Sequence, residues 1–250
     1  MNKRALFLRT LFLMSAVLTA ASCGGGDDSA GVTDRPMFPP CRKDVMEHVR
    51  QPSRLEVLNE CTSFSGTVRE VDDSELDGDY VLHVEPDPEY VNLLAAPNSG
   101  LLAVAVVSVD RPGVDAPVAG QHASFYGALV TDKTSDRRVE LHPTWLIAVL
   151  SVAVTASDTV VVGDALSIQI AVTSVTKGVT AQISEAELFL EVIDSQGRAT
   201  RWESGRTNTS GTANFEFAAL ELAGDYTLQV FASKDRQRGL AEAAFTVKRR

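Results

Sequence analysis

From residue 61 onward the sequence is a succession of short β-forming segments divided by turns that contain glycine and aspartate. Asp77-Gly78 separates two of these segments, and this dipeptide between alternating runs is a strong β-hairpin signal. Further turn dipeptides fall at Gly163-Asp164, Gln196-Gly197 and Gly224-Asp225. A chain of 250 residues has room for two domains of ordinary size. We therefore predict an all-β protein whose two domains meet near residue 147.

The first domain, residues 61–147, is predicted to form a small β-barrel. Its five candidate strands cover residues 64–71, 80–84, 101–109, 122–130 and 139–147. The third is a continuous apolar run, which predicts a strand buried on both faces. A short helix is expected at residues 87–94, because Pro88 suits the first turn of a helix.

Several phrases in this domain resemble an OB-like domain found in exported bacterial proteins. They include Gly66-Thr67-Val68, Pro117-Val118-Ala119-Gly120 and the most distinctive one, Glu140-Leu141-His142-Pro143. The resemblance covers roughly residues 61–147 and implies a small barrel of OB-like type. It implies no activity, because the function of that domain is uncharacterised.

The second domain, residues 148–250, is predicted to be a sandwich of seven strands. These strands are expected at residues 152–156, 165–174, 186–194, 199–204, 213–219, 226–233 and 241–248. The phrases at 207–213 and Gly224-Asp225-Tyr226 resemble bacterial Ig-like domains of adhesins and surface proteins. Tyr226 opens the sixth strand, where such domains place a tyrosine corner. The resemblance therefore implies an Ig-like β-sandwich.

The first 22 residues have the layout of an export signal. A positive start with Lys3, Arg4 and Arg9 is followed by an apolar run over residues 11–18. That run is too short to span a bilayer, which needs about 20 apolar residues. We therefore predict a signal peptide over residues 1–22.

Cys23 directly follows small residues, in an arrangement that resembles the lipobox of bacterial lipoproteins. The cysteine of that family is lipidated and becomes the mature N-terminus, so the resemblance implies that Cys23 anchors the protein in a lipid bilayer. Residues 23–40 are rich in Gly, Asp, Ser and Pro and are predicted to form a flexible tether. The expected location is the bacterial cell envelope, facing the periplasm or the exterior. The alternative is an ordinary secretory signal cleaved near Ser22.

The three cysteines of the chain fit an exported protein. If Cys23 carries lipid, Cys41 and Cys61 remain as one pair in an oxidising compartment, and we predict a disulfide between them. Closing a loop of this size contributes about 3 kcal/mol. The segment 41–60 between them has helical character, so we expect a disulfide-linked helical segment. The alternative is two free structural thiols.

The charge of the chain argues against nucleic acid as a partner. The net charge is −10, and removal of the three basic residues of the signal takes the mature chain to −10 − 3 = −13. Residues 61–147 carry five basic against fourteen acidic side chains, which leaves no basic groove for a phosphate backbone. A protein or carbohydrate ligand at the envelope is the expected partner besides the bilayer.

Candidate chemistry is limited to two histidines and two carboxylates. His83 and His142 lie on different predicted strands, near Glu85 and Glu140, and could converge as metal ligands or as an acid–base pair. The sequence contains no nucleophile elbow, phosphate loop, dinucleotide fingerprint or paired zinc motif. No cofactor is predicted.

Two functional hypotheses follow from these observations. The first is a non-enzymatic surface or periplasmic lipoprotein, in which the barrel and the sandwich act as a binding or structural module. The second is an exported hydrolase or metal-dependent enzyme that uses His83 and His142. Convergence of the two histidines in one pocket would favour the enzyme, whereas their separation or a filled barrel would favour the module.

Overall fold

The computed structural model describes residues 42, 44, 46–72, 79–108, 114, 116–218 and 220–250. These residues form fourteen strands and three short 3-10 helices, which confirms the predicted all-β class. The barrel strands are β1 (Leu55–Asp72), β2 (Tyr80–Pro86), β3 (Leu102–Val106), β4 (His122–Asp132) and β5 (Arg138–Ala148). The sandwich strands are β6 (Ser151–Ala156), β7 (Thr159–Val161), β8 (Leu166–Thr176), β9 (Val179–Gln182), β10 (Glu187–Asp194), β11 (Ala199–Arg206), β12 (Thr212–Phe217), β13 (Gly224–Lys234) and β14 (Gln237–Lys248). The 3-10 helices are Pro52–Arg54, Pro88–Leu93 and Ala96–Asn98, of which the second is the short helix predicted around Pro88.

The first five strands form a closed barrel in the order β1-β2-β3-β5-β4. Neighbouring strands are antiparallel except β3 and β5, which pair in parallel with Ala103 opposite Glu140. Strand β1 pairs with both β2 and β4, which its length of 18 residues allows. The barrel therefore has no free sheet edge, since each strand has a partner on both sides.

Apolar side chains fill the interior of the barrel. Phe64 of β1 stacks on Phe125 of β4, with their ring centroids 5.0 Å apart. Leu82, Val84 and Leu141 are fully buried in the same cluster. Because side chains alternate across a strand, the residues between them point outward, so polar groups of the barrel lie on its outer surface.

The prediction of a helical segment over residues 41–60 is wrong from Leu55 onward. A single turn of 3-10 helix, Pro52–Arg54, leads directly into β1, which begins at Leu55 rather than near Cys61. Leu55 and Val57 pair with Asp132 and Val130 of β4. The side of β4 that faces away from β5 offers backbone partners to this segment, and that long-range pairing outweighs a weak local helix preference.

The remaining strands form the predicted Ig-like sandwich. One sheet has the order β11-β10-β13-β14-β7, and the other has the order β12-β8-β6 with β9 beside β8. The seven predicted strands are all present, and β7 and β9 are two additional short ones. The alternation predicted in β8 is observed, because Leu166, Ile168 and Ile170 are buried while the residues between them are exposed.

Tyr226 forms the predicted tyrosine corner. Its side chain is buried, and its hydroxyl donates a hydrogen bond of 3.0 Å to the carbonyl oxygen of Leu222, four residues upstream. Its ring stacks on Phe245 of β14 with a centroid distance of 5.6 Å. This bond fixes the entry into β13 against the core, as in other Ig-like domains.

The barrel and the sandwich pack together as parts of one compact unit. The backbone N–H of Leu150, between β5 and β6, donates to the carbonyl oxygen of Arg238 at 2.8 Å. Next to it, a Cβ atom on Gly239 would lie only 2.6 Å from the Leu150 carbonyl oxygen, so the close approach of the two strands requires glycine there. We call this backbone contact the joint.

An apolar cluster on the outer face of the barrel continues the joint. Its buried members are Val49, Leu55, Val107, Ala128, Val130, Trp145 and Leu146, with Met46, Tyr126 and Leu240 packed against them. Leu240 is the member from the sandwich. Burial raises the pKa of Tyr126, and the nearby charge of Glu242 on β14 raises it further. The two domains thus share buried apolar surface as well as backbone hydrogen bonds.

A second contact joins the two domains at the turn before β4. The N–H of Lys177, in the turn between β8 and β9, donates to the carbonyl oxygen of Gly120 at 2.6 Å, and Gln121 forms a β-bridge with Thr176. Two separate backbone contacts resist rotation better than one, so the barrel is held at a fixed angle to the sandwich.

In the part of the chain that is described, no helix has the length and apolar character needed to cross a bilayer.

Candidate functional site

The predicted anchoring and disulfide residues are only partly covered by the structure. The predicted signal peptide, the predicted tether, Cys23 and Cys41 lie outside the described residues. Cys61 lies on the exposed side of β1, and its backbone N–H donates to the side-chain oxygen of Asn59 at 3.0 Å. Lipidation of Cys23 and pairing of Cys41 with Cys61 stay predictions.

His142 lies in the middle of β5 and is buried between two carboxylates. Its Nδ1 is 3.2 Å from Oε1 of Glu140, and its Nε2 is 3.9 Å from Oδ2 of Asp79. Only 2% of its side chain is exposed, and Nε2 has no hydrogen-bond partner among the described residues. Asp79 in turn accepts a hydrogen bond of 3.1 Å from the N–H of Ser108. A ligand in solution cannot reach this imidazole, so its contacts are those of a structural residue.

His83 does not join His142. The register places His83 opposite Ala103 and Ala103 opposite Glu140, so His83 and Glu140 face the same side of the barrel with one strand between them. Two strand spacings put their backbones roughly 10 Å apart. Glu85 is held by an exposed ion pair with Arg69. Of the four predicted residues, the structure brings together only His142 and Glu140.

A second cluster, which the sequence did not reveal, combines Ser65, Asp87 and His122. Asp87 lies just before the 3-10 helix Pro88–Leu93, while Ser65 and His122 come from β1 and β4. Oδ2 of Asp87 accepts a hydrogen bond from the Ser65 hydroxyl and lies 2.9 Å from Nε2 of His122. The cluster is half-buried on the outer face of the barrel.

The order of these three groups decides what they can do. In nucleophilic catalysis the imidazole lies between the hydroxyl and the carboxylate, so that it can take the hydroxyl proton. Here the Asp87 carboxylate lies in the middle, and the Ser65 hydroxyl donates to it rather than to His122. The geometry is that of a polar clamp that ties the helix Pro88–Leu93 to β1 and β4.

The described residues contain no group of three or more His, Cys, Asp or Glu side chains arranged to hold a metal ion. A shallow groove of about 660 Å³ lies on the sandwich instead. It crosses the exposed face of the sheet β12-β8-β6 and is lined by Thr155, Ala156, Ser157, Ser167, Ile168, Gln169, Asn214, Phe215 and Glu216. Thr155, Gln169 and Asn214 pair in register across the three strands, so their side chains form one outward row.

The groove combines polar hydroxyl and amide side chains with the apolar side chains of Ala156, Ile168 and Phe215. Hydroxyl and amide side chains supply both donors and acceptors of hydrogen bonds, and Glu216 is the charged residue of the lining. The groove contains no basic side chain, which makes it unsuited to phosphate or other anions. It is therefore a candidate site for an uncharged ligand that offers many hydroxyl or amide groups.

Comparison with known proteins gives a likeness in fold. No family model matches the chain, and no curated protein matches it. Among solved structures, the chain is similar to a CARDB domain from Pyrococcus furiosus (10% identity, 40% of this chain and 94% of that one, TM-score 0.27). A PKD domain of an M14-like peptidase from a Thermoplasmatales archaeon is similar at 11% identity, over 40% of this chain and 95% of that one, with a TM-score of 0.27. The superoxide reductase of Ignicoccus hospitalis is similar at 13% identity, over 39% and 80% of the two chains, with a TM-score of 0.28.

With TM-scores below 0.3, these likenesses carry no conclusion about the class or the function of this chain. The strand order and the tyrosine corner define the class independently: an all-β protein in which a five-stranded barrel precedes an Ig-like sandwich.

Proposed function

We propose that the protein is a lipid-anchored envelope protein whose barrel and sandwich form a rigid, non-enzymatic binding module. The barrel is of OB-like type, a proposal supported by its closed order β1-β2-β3-β5-β4. The module binds an uncharged, hydroxyl-rich ligand, in the first place a carbohydrate, in the groove on the sheet β12-β8-β6. The observation that carries this proposal is the outward row of Thr155, Gln169 and Asn214.

The row supports a carbohydrate ligand because it matches the chemistry of sugar hydroxyls. Each hydroxyl both donates and accepts, and the amides of Gln169 and Asn214 do the same from neighbouring strands. Adjacent strands lie about 4.8 Å apart, which is close to the spacing of hydroxyl groups across a sugar ring. The β-sheet fixes the backbone from which these side chains project, so little backbone entropy is lost on binding.

The polar residues of the barrel support a module rather than an enzyme. His142 is buried against Glu140, His83 lies one strand further away, and Ser65 donates to a carboxylate instead of an imidazole. The interior is filled with apolar side chains, so it offers no room for a substrate. The exported hydrolase or metal-dependent enzyme required convergence of His83 and His142, and their register separates them.

Ligand binding is tested with the full chain on a panel of immobilised neutral oligosaccharides. We expect at least one of them to be bound, and we expect Gln169→Ala and Asn214→Ala each to weaken that binding about tenfold, because each removes hydrogen bonds worth about 1 kcal/mol or more. Thr180→Ala on the exposed strand β9 is the matched control, since it lies outside the groove. Binding that is indifferent to both groove substitutions would reject the site.

Anchoring is tested at Cys23, because this cysteine directly follows the small residues Ala20, Ala21 and Ser22. Cys23→Ala should release the protein from membranes or block its processing, because the lipid would have no attachment point. Ser22→Ala keeps a small residue before the cysteine and should fractionate as the original chain does. If Cys23→Ala protein stays in the membrane fraction, the lipoprotein proposal is wrong.

The disulfide belongs to the same proposal. In a mature exported protein Cys41 and Cys61 should both resist thiol labelling under denaturing conditions, and both should react after reduction. Labelling of the two residues without reductant would refute the pairing.

A further inference from the structure

Strand β11 is an edge of the five-stranded sheet. It pairs with β10 on one side, and no described strand or loop forms a backbone hydrogen bond with its other side. A row of unpaired N–H and C=O groups along eight residues is a ready template for another strand. At its centre the side chain of Trp202 is 60% exposed, which is unusual for a residue with so large an apolar surface.

The ring of Trp202 packs against one aromatic neighbour, whereas the charged residues on either side of it have no ion-pair partner among the described residues. Its ring stacks on Phe189 of β10, with centroids 6.4 Å apart and planes 18° from parallel, so the other face of the indole is open to solvent. Arg201 and Glu203 flank it and point to the opposite side of the sheet, because neighbouring residues in a strand alternate. Glu203 forms no ion pair with any described residue, and Arg201 donates only to the adjacent carbonyl oxygen of Thr200, at 2.9 Å.

The sequence of β11 is complementary to itself in one antiparallel register. With Trp202 opposite Trp202 of a second copy, Arg201 faces Glu203 and Glu203 faces Arg201. Directly opposed charges of unlike sign stabilise a strand pair, and two opposed aromatic rings do so as well. The next positions pair Thr200 with Ser204, which are small and polar.

The outermost pair of this register would place Arg198 opposite Arg206, and both charges are already compensated. Arg198 forms an ion pair of 2.7 Å with Asp194, and Arg206 forms one of 2.7 Å with Glu187. Charges on an edge strand usually prevent pairing with another chain. On β11 the two uncompensated charges, Arg201 and Glu203, are placed so that they attract a second copy in the antiparallel register.

We propose that β11 is the dimerisation strand of the protein, which pairs antiparallel with β11 of a second copy around Trp202. The interface is isologous, because the same residues meet on both sides of a twofold axis. It joins two five-stranded sheets into one sheet of ten strands and covers the two exposed indole rings with each other. The groove on the other sheet stays open, so the dimer presents two copies of it.

The test uses charge reversals in the full chain, purified in one detergent and measured by sedimentation. Arg201→Glu and Glu203→Arg each turn both attractive pairs into repulsive ones, and each should raise the dimer dissociation constant at least about tenfold. The double variant Arg201→Glu/Glu203→Arg restores both attractions and should dimerise like the original chain. An equimolar mixture of the two single variants should also form dimers, because both opposed pairs again carry opposite charges.

The mixture and the double variant contain the same substitutions as the single variants, so recovery of the dimer excludes misfolding as the cause of its loss. Three results would overturn the proposal. They are an original chain that is monomeric at every concentration, single variants that dimerise as tightly as the original, and a mixture that stays monomeric. In the first case, binding of oligosaccharide through Trp202 would assign this strand to a different partner.

Discussion

Substitution of Gly239 by alanine probes how firmly the sandwich is joined to the barrel. The added Cβ would lie 2.6 Å from the carbonyl oxygen of Leu150 and 2.8 Å from side-chain atoms of Leu150 and Val152. All three contacts involve β6 or the residue before it, so relief requires that β14 and this segment move apart. That movement would lengthen the hydrogen bond from the Leu150 N–H to the Arg238 carbonyl oxygen, now 2.8 Å.

The magnitude follows from three terms. Overpacking by one methyl group costs about 1–3 kcal/mol, and loss of the backbone hydrogen bond costs about 1 kcal/mol more. Alanine restricts the unfolded chain relative to glycine, which offsets about 0.4–1 kcal/mol. The net loss of unfolding free energy is about 1–3.5 kcal/mol, which corresponds to a fall in Tm of roughly 2–14 °C for a folded unit of this size.

Differential scanning calorimetry measures this effect. The original chain should unfold in one transition, because the two domains share an apolar cluster and two backbone contacts. The Gly239→Ala chain should unfold at lower temperature, and its transition should broaden or split as the barrel and the sandwich separate. Gly163→Ala is the control, because a Cβ there meets open space and only the positive φ of +92° is disturbed. A Gly239→Ala chain with the Tm of the original and a single sharp transition would refute the reasoning.

Two further predictions concern single hydrogen-bonded side chains. Tyr226→Phe removes the hydrogen bond to the Leu222 carbonyl oxygen but keeps the stack on Phe245, and it should lower the unfolding free energy measured in urea titrations by about 1 kcal/mol. Tyr226→Leu also loses the stack and should lower the unfolding free energy further. Equal effects of the two variants would contradict the role of the tyrosine corner. Burial alone would raise the pKa of Asp132, but hydrogen bonds from Thr134 and the charge of Arg54 outweigh burial and lower it. A lowered pKa means that the carboxylate stabilises the fold above the usual value near 3.8 and that this stability is lost as the pH falls through the folded pKa. Asp132→Asn should therefore destabilise the chain by about 1–3 kcal/mol at pH 7, and this difference should shrink as the pH falls below 3.8 toward the folded pKa. A difference that does not change with pH would show that charge is not the cause.

The sequence predicts those elements of the fold whose signal is local. In β8 the alternation from Leu166 to Val172 specifies both the strand and its buried face, since one face of a sheet packs on the core. Tyr226 was identifiable because it follows a turn and opens a strand. The short strand β7 was not predicted, because a segment of three residues is too short to show a periodic pattern. Its parallel pairing with β14 also joins parts of the chain that are distant in sequence.

The same distinction explains the errors. Residues 55–60 include leucine and glutamate, which favour a helix locally, but pairing with β4 decides their conformation. His142 and Glu140 lie two residues apart in one strand, so their contact could be anticipated from the strand itself. Ser65, Asp87 and His122 lie far apart in sequence, and only the register of the barrel brings them together. The groove on the sandwich likewise depends on the alignment of three strands.

The joint also sets the order in which the protein can mature. Leu150 is synthesised long before Arg238, its hydrogen-bond partner, and long before Leu240, which covers the apolar cluster beside Trp145. In a nascent chain whose barrel is complete, this cluster stays exposed until β14 is synthesised and inserts between β13 and β7. The window between these two events is when the chain is most exposed to proteases and to aggregation, and when a holding chaperone would have the most to protect.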